Sequence, residues 1–230
     1  MTTTLEAAKA RRSTIALKLL MAVSGAIFIA YVALHMFGNL KVFQGQEKFD
    51  SYAEFLRTFG EPVLPYEGFL WIVRVVLIAA LIAHVYAAYT LWARASKARN
   101  VKYSMKKVTT STLSSRTMRW GGTALLLYIV FHILHLTTKT LGPGSDDSIY
   151  QRLVAGFQPE YWYLALIYIA ASGALAMHLR HGTYSALQTM GLTNSPAAKA
   201  RASTAGLVLA VVIAGGFAII PLSVLVGIVE

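Results

Sequence analysis

The chain reads as an all-α integral membrane protein with five spanning helices. Four of them form a bundle that carries every histidine, and a fifth, histidine-free helix lies at its edge. Three observations predict this. Of 230 residues, 56% are hydrophobic and only 13% are charged, which is unlike a soluble domain. Apolar stretches of about 20 residues recur along the chain, each long enough to cross a hydrocarbon core of ~30 Å as a helix. The basic residues are sorted by side, as the connections of a multi-pass protein are.

The spans are expected near 17–41, 66–95, 117–140, 159–188 and 203–228, in one transmembrane domain covering 1–230. Residues 1–18 are polar and basic, and the apolar run behind them is of full spanning length, so it reads as a retained first span rather than a cleaved signal. The second span follows Pro62 and Pro65 and the fourth follows Pro159, where proline suits a first helical turn. Pro221 falls inside the fifth and is a candidate kink. Trp71, Trp120, Tyr161, Trp162 and Tyr163 lie near span ends, as interfacial aromatics do.

With five spans, the N-terminal arm, the 94–119 connection and the region from Arg180 to Arg201 share one side. They hold fifteen of the 21 basic residues and one acid, Glu6. The opposite side holds nine of the ten acids. The positive-inside rule then places the N-terminus in the cytoplasm and the C-terminus outside. The net charge of +11 is therefore a topology signal and not a nucleic-acid footprint. The basic 96–119 loop has two readings, topology alone or docking of an acidic partner face or anionic headgroups. The absence of cysteine removes disulfides, zinc fingers, protein-held iron–sulfur clusters and covalent haem attachment.

Histidine is costly in lipid without a partner, yet His35, His84, His132, His135, His178 and His181 all lie in or beside spans. Depth sorts them. His35 precedes Lys41 by six residues and His132 precedes Lys139 by seven, which puts both roughly 10 Å inside the outer boundary. His84 and His178 each lie about ten residues from the inner ends of their spans, roughly 15 Å deep. The expected pairs are His35 with His132 outside and His84 with His178 inside. Two imidazoles facing across a bundle fill both axial positions of a b-type haem and leave no open site for oxygen, which suits electron transfer. Two such haems would form a wire across the membrane. Structural histidines or a proton relay are the competing readings.

His135 and His181 follow candidate ligands by three residues, on nearly the same helical face. His135 competes with His132 for the outer iron. His181 reads as a propionate or interface contact. Arg180 is the first candidate cation for the inner propionates, with Arg94 and Arg119 behind it, and Arg74 could serve the outer haem; each also fits a snorkelling role. Gly25, Gly38, Gly121, Gly122 and Gly173 either admit a porphyrin or serve helix packing.

Four segments carry a family resemblance: A-Y-V-A-L-H-M-F-G-N-L around His35, L-I-A-H-V-Y-A-A-Y around His84, Y-I-V-F-H-I-L-H around His132 and A-M-H-L-R-H-G-T-Y-S-A-L-Q-T-M-G-L-T around His178. Together they resemble the cytochrome b membrane anchor of succinate dehydrogenases and fumarate reductases, in its single-chain, five-helix, di-haem form. The resemblance implies a multi-pass protein of a bacterial cytoplasmic membrane. It implies a flavoprotein subunit that oxidises succinate and an iron–sulfur subunit, both on the cytoplasmic face. It implies electron passage through the inner and then the outer haem b to menaquinone or another quinone near the outer side, and the same ligand pairs as the depth argument. A quinone site needs proton donors there. The 42–67 connection offers Glu47, Asp50, Tyr52, Glu54, Glu61, Tyr66 and Glu67, of which Glu54 and Glu61 are the chosen candidates. Some fumarate reductases of this form carry a glutamate just before the fourth-span ligand. Here Ala176 and Met177 stand there, which argues against that proton path. The alternatives are a haem anchor of another quinone-linked enzyme, such as a nitrate or formate oxidoreductase, and a non-haem helical membrane protein.

Overall fold

The computed structural model describes residues 13–98, 113–143 and 148–230. Among them the chain is all-helical and has no strand. The helices are α1 (Thr14–Asn39), α2 (Gln46–Thr58), α3 (Gly68–Lys97), α4 (Leu113–His132), α5 (Ile149–Gly156), α6 (Trp162–Thr189) and α7 (Pro196–Leu225). A 3-10 turn, Leu40–Gln44, continues α1, and a π turn, Ile133–Thr137, continues α4. Five of these helices are long and apolar enough to cross a membrane. The central residues 99–112 of the basic loop, and the N-terminal arm to residue 12, lie outside the described residues.

Local chemistry sets the helix starts. The Ser13 hydroxyl accepts from the Ala16 amide at 3.1 Å, and Ser148 does the same for Gln151 at 3.2 Å. Ser195 accepts from Ala198 at 3.1 Å with Pro196 in the first turn. These are N-cap bonds to otherwise orphaned amides. The Ser195–Pro196 start lies seven residues ahead of the expected 203, because the polar first turns, with Lys199 and Arg201, look like loop by hydropathy. The other span boundaries fall within a few residues of expectation.

α1 packs along α3, α4 along α6, and α1 against α6; α7 lies extensively along α6 and also touches α1. The backbones of α6 and α7 meet closely at Gly206, where an added Cβ would sit 2.6 Å from the Arg180 carbonyl oxygen. α3 turns Trp71, Val75, Ile78, Ile82 and Tyr86 outward, each more than half exposed. Their three-and-four spacing draws one stripe down the helix. In water such a patch would be a liability; on a spanning helix it is the lipid face.

Two short helices, which the sequence reading left as connections, close the end of the bundle where α1 finishes. α2 and α5 bury Val42, Phe49, Tyr150, Leu153, Val154 and Phe157 with Val224 and Val229 in one apolar cluster. Asp50 pins them together: its carboxylate accepts from the Ser148 hydroxyl at 2.6 Å and from the Tyr150 amide at 3.2 Å. Tyr150 donates to the Glu230 carbonyl at 2.9 Å, which ties the chain end to the same cap.

Candidate functional site: two histidine pairs across the bundle

The histidines meet in the expected combinations. The His35 and His132 ring centres lie 5.8 Å apart, and those of His84 and His178 lie 6.1 Å apart. Neither pair joins helices whose backbones pack extensively: α1–α4 and α3–α6 are the diagonals of the bundle, and its packed sides are α1–α3, α1–α6 and α4–α6. The imidazoles therefore meet across the interior.

The two levels are equally spaced on two helices. His84 lies against Ser24 and Gly25 of α1, and His35 follows Gly25 by ten residues. His178 lies against Gly122 of α4, and His132 follows Gly122 by ten. At ~1.5 Å per residue both intervals are about 15 Å.

The residues fit a b-type haem at each level. Two metal–imidazole bonds of ~2 Å each place the ring centres of an axial pair roughly 6 Å apart, which both pairs match. At the inner level the nearest backbone neighbours of the pair are glycines, with the Phe28 ring edge-on to His84 at 5.9 Å. A Cβ at Gly122 would lie 3.3 Å from His178 Cε1, and one at Gly25 would lie 3.6 Å from His84 Cε1. The buried His178 Nδ1 has no hydrogen-bond partner among the described residues. On the other side of the pair, the Ser24 hydroxyl lies 3.1 Å from His84 Nδ1 and 2.7 Å from the Leu20 carbonyl. It donates to the carbonyl and accepts from Nδ1–H, leaving Nε2 of His84 for a metal. At the outer level Tyr168 Oη lies 3.3 Å from His132 Nδ1 and 2.9 Å from His135 Nδ1. Aromatic walls complete that level: Tyr31 stacks on His35, and Phe217 of α7 stands 5.8 Å from it. The fifth helix thus reaches the outer pair, a contact that carries no histidine signal in the sequence.

His135 and His132 are separated by their surroundings. His135 is fully buried, its Nδ1 is 2.9 Å from Tyr168 Oη, and its Nε2 is enclosed by Gly142 and Gly156. A Cβ at either would come within 2.9 Å of that nitrogen. Gly142 has φ +77°, a left-handed conformation glycine adopts freely, and this turns the backbone onto the imidazole. With both backbones this close, that nitrogen has no room for a porphyrin. His132 alone of the two faces His35.

The remaining candidates spread to the two ends of the bundle. At the end where α1 begins, Arg94 donates to Thr14 Oγ1 at 3.1 Å, and the Arg119 guanidinium lies 5.4 Å from the Trp92 ring centre. Arg180 is exposed and His181 half-buried, one turn beyond His178. None of these four has a described polar contact to the inner pair. At the other end Arg74 binds Glu67 at 3.2 Å and lies over Trp71. Glu67 also meets Arg57 at 3.4 Å, and Arg57 meets Glu54 at 3.7 Å. Glu54 accepts from Tyr66 Oη at 3.3 Å; partial desolvation, then the Glu54 charge, raise the Tyr66 phenol above its ordinary value. Glu61 is exposed and outside this network. Of the glycines, Gly38 packs on Tyr52, while Gly121 and Gly173 face open space.

The fold and the site define a multi-pass helical membrane protein with two levels of paired, intramembrane imidazoles. A family match gives the class a name: the succinate dehydrogenase/fumarate reductase transmembrane subunit matches residues 94–218. That is more than half of the chain, and the protein belongs to this family. The match contains His132 and His178; His35 and His84 precede it. Comparisons with curated proteins and with solved structures returned no match.

Proposed function

We propose that the chain is the di-haem cytochrome b anchor of a succinate:quinone oxidoreductase. In this reading His84 and His178 hold the inner haem, and His35 and His132 hold the outer one. The observation that carries the reading is the spacing of the two cross-bundle pairs, at 5.8 and 6.1 Å, each on helices that do not otherwise close on one another. When bound, each haem would supply a one-electron carrier held by its two histidines. The protein's part is to hold the imidazoles on four rigid helices, fix their tautomers through Ser24 and Tyr168, and exclude water with apolar walls.

The basic side, where α1 begins, is the cytoplasmic side by the positive-inside rule, and there a flavoprotein and an iron–sulfur subunit dock. The quinone, menaquinone in this form of the family, is reduced beside the outer pair. Glu54 lies in the ion-pair chain through Arg57 and Glu67 to Arg74, and with Glu61 it supplies proton-exchanging groups at that end. The membrane is that of a bacterial cell, with the N-terminus in and the C-terminus out.

A dithionite-reduced minus oxidised visible spectrum of the purified protein, with haem quantified per chain, tests the reading. Two haems per chain with sharp low-spin b-type bands are expected. A colourless protein, purified under conditions that retain haem, overturns it.

A further inference from the structure

Three buried groups beside the outer pair are not used by ligation itself: Tyr168, His135 and Arg152, none more than 8% exposed. Tyr168 Oη sits between two imidazoles, 2.9 Å from His135 Nδ1 and 3.3 Å from His132 Nδ1. A phenol has one proton to donate, and the two imidazoles are the described polar partners of Tyr168 Oη, so keeping that buried proton bonded sends it to one ring nitrogen while the oxygen accepts from the other. If His132 offers Nε2 to a metal, its Nδ1 carries the proton and donates to Tyr168 Oη. Tyr168 then donates to His135 Nδ1, the shorter contact. Ligation at His132 thus selects one direction for the whole chain.

The far end of that chain is anchored. His135 sits in the π turn Ile133–Thr137, where Thr138 N–H reaches back to the Ile133 carbonyl at 2.8 Å and Thr140 N–H to Leu134 at 2.9 Å. Arg152 of α5 takes the His135 carbonyl, donating from Nε at 3.3 Å and Nη2 at 3.1 Å, and also donates to the Leu141 carbonyl. A cation on the last carbonyls of a helix is favourable. With Gly142 and Gly156 closing on the ring, the accepting Nδ1 is fixed in place.

We propose that Tyr168 and His135 are positioning residues for His132: a directed hydrogen-bond chain, His132 Nδ1–H to Tyr168 to His135, makes the outer ligand more electron-rich and lowers the reduction potential of the outer haem. The inference rests on the di-haem reading. Its physical basis is that an acceptor on the second ring nitrogen raises the basicity of a metal-bound imidazole, and a more basic axial ligand favours the oxidised metal. The inner pair has a hydroxyl acceptor too, in Ser24, but that hydroxyl passes its proton to the Leu20 carbonyl; only the outer level has a second imidazole in series.

The test is a spectroscopic redox titration of the complete complex, with His35→Ala identifying the outer haem by its absence. Tyr168→Phe should move the outer oxidised/reduced equilibrium about tenfold toward reduction, an upward shift of ~59 mV for one electron, and leave the inner haem in place as control. His135→Leu should shift it in the same direction. His135→Asn, which keeps an accepting oxygen near the position of Nδ1, should restore the wild-type value. An unmoved outer potential in Tyr168→Phe with both haems retained overturns the inference. If Tyr168→Phe fails to hold the outer haem, the two His135 variants decide: equal potentials overturn it, and a shift in the leucine variant alone sustains it. Absence of haem from the wild-type protein would instead be the failure of the di-haem reading.

Discussion

On the proposed di-haem reading, replacing Gly122 with valine should weaken the inner haem, the one held by His84 and His178, while the same change at Gly121 should not. The two positions are neighbours on α4, so the cost of a β-branched residue in a helix is the same for both and cancels. Their surroundings differ. A Cβ at Gly122 already meets His178 Cε1 at 3.3 Å and Nδ1 at 3.6 Å, whereas at Gly121 it meets nothing within 4 Å. Valine adds two further methyls to that Cβ. Forcing extra methyl groups into a filled site costs about 1–3 kcal/mol, which charged against haem binding is roughly 5- to 150-fold in affinity. The measurement is the rate of haem transfer from the purified anchor to excess apomyoglobin, followed at the inner and outer bands. Gly122→Val should release its inner haem faster by about that factor and keep the outer one. Equal release from both valine variants would refute the reasoning, because it would mean that the Gly122–His178 approach is ordinary packing with no bearing on the ligand.

Other changes separate the two levels and their supports. His84→Ala or His178→Ala should leave one haem per chain, the outer, and His35→Ala or His132→Ala should leave the inner; His135→Ala should keep both, and haem per chain after purification checks each. Ser24→Ala removes the acceptor 3.1 Å from His84 Nδ1 and should cost 10- to 100-fold in inner haem affinity, the range for loss of such a support, read by the same transfer assay. Arg152→Met preserves length but strips the donors from the buried His135 carbonyl and from the Leu141 carbonyl. Charged hydrogen bonds of this kind make a loss on the order of 3 kcal/mol reasonable, seen as a lower unfolding midpoint in detergent and earlier release of the outer haem than of the inner.

Hydropathy alone made the five spans legible, because each needs a long apolar run and nothing else in the chain has one. The histidine pairing was legible for a related reason. A spanning helix has a fixed rise and a direction set by its neighbours, so distance from a charged flank becomes depth, and depth selects partners. What hydropathy hid were the features that depend on polar or short segments. The first turns of α7 escaped because Lys199 and Arg201 sit on a helix that has yet to enter the apolar zone. α2 and α5 are too short and too mixed to register, although the Ser148 cap is an N-terminal signal in retrospect. Asp50 read as a loop acid and is instead the acceptor that joins those two helices. Arg152 gave no local sign of burial, since the carbonyls it meets, His135 and Leu141, lie in and beyond the π turn of another helix. The glutamate candidates illustrate the same limit: Glu54 lies in a network with Arg57, Tyr66 and Glu67, whereas Glu61 lies apart, and spacing along the connection could not separate them.

The division of the ligand positions says how the site is assembled. α1 with α3 forms one packed hairpin and α4 with α6 another. Each histidine pair takes one member from each hairpin, so neither level exists within a hairpin alone. The family match covers α4, α6 and most of α7, and thus half of each pair; the other halves, His35 and His84, precede it, on a hairpin of which it takes in only the last turn of α3. A slide of one hairpin along the other by a single residue, ~1.5 Å, would alter both cross-bundle distances together. That both stand near 6 Å is therefore a joint constraint on the register of the two hairpins. The ten-residue interval repeated on α1 and α4 is its counterpart along the helices. The proposed pair of haems, two groups of one size stacked along one bundle, would require both conditions, whereas packing that merely buried four structural histidines would require neither.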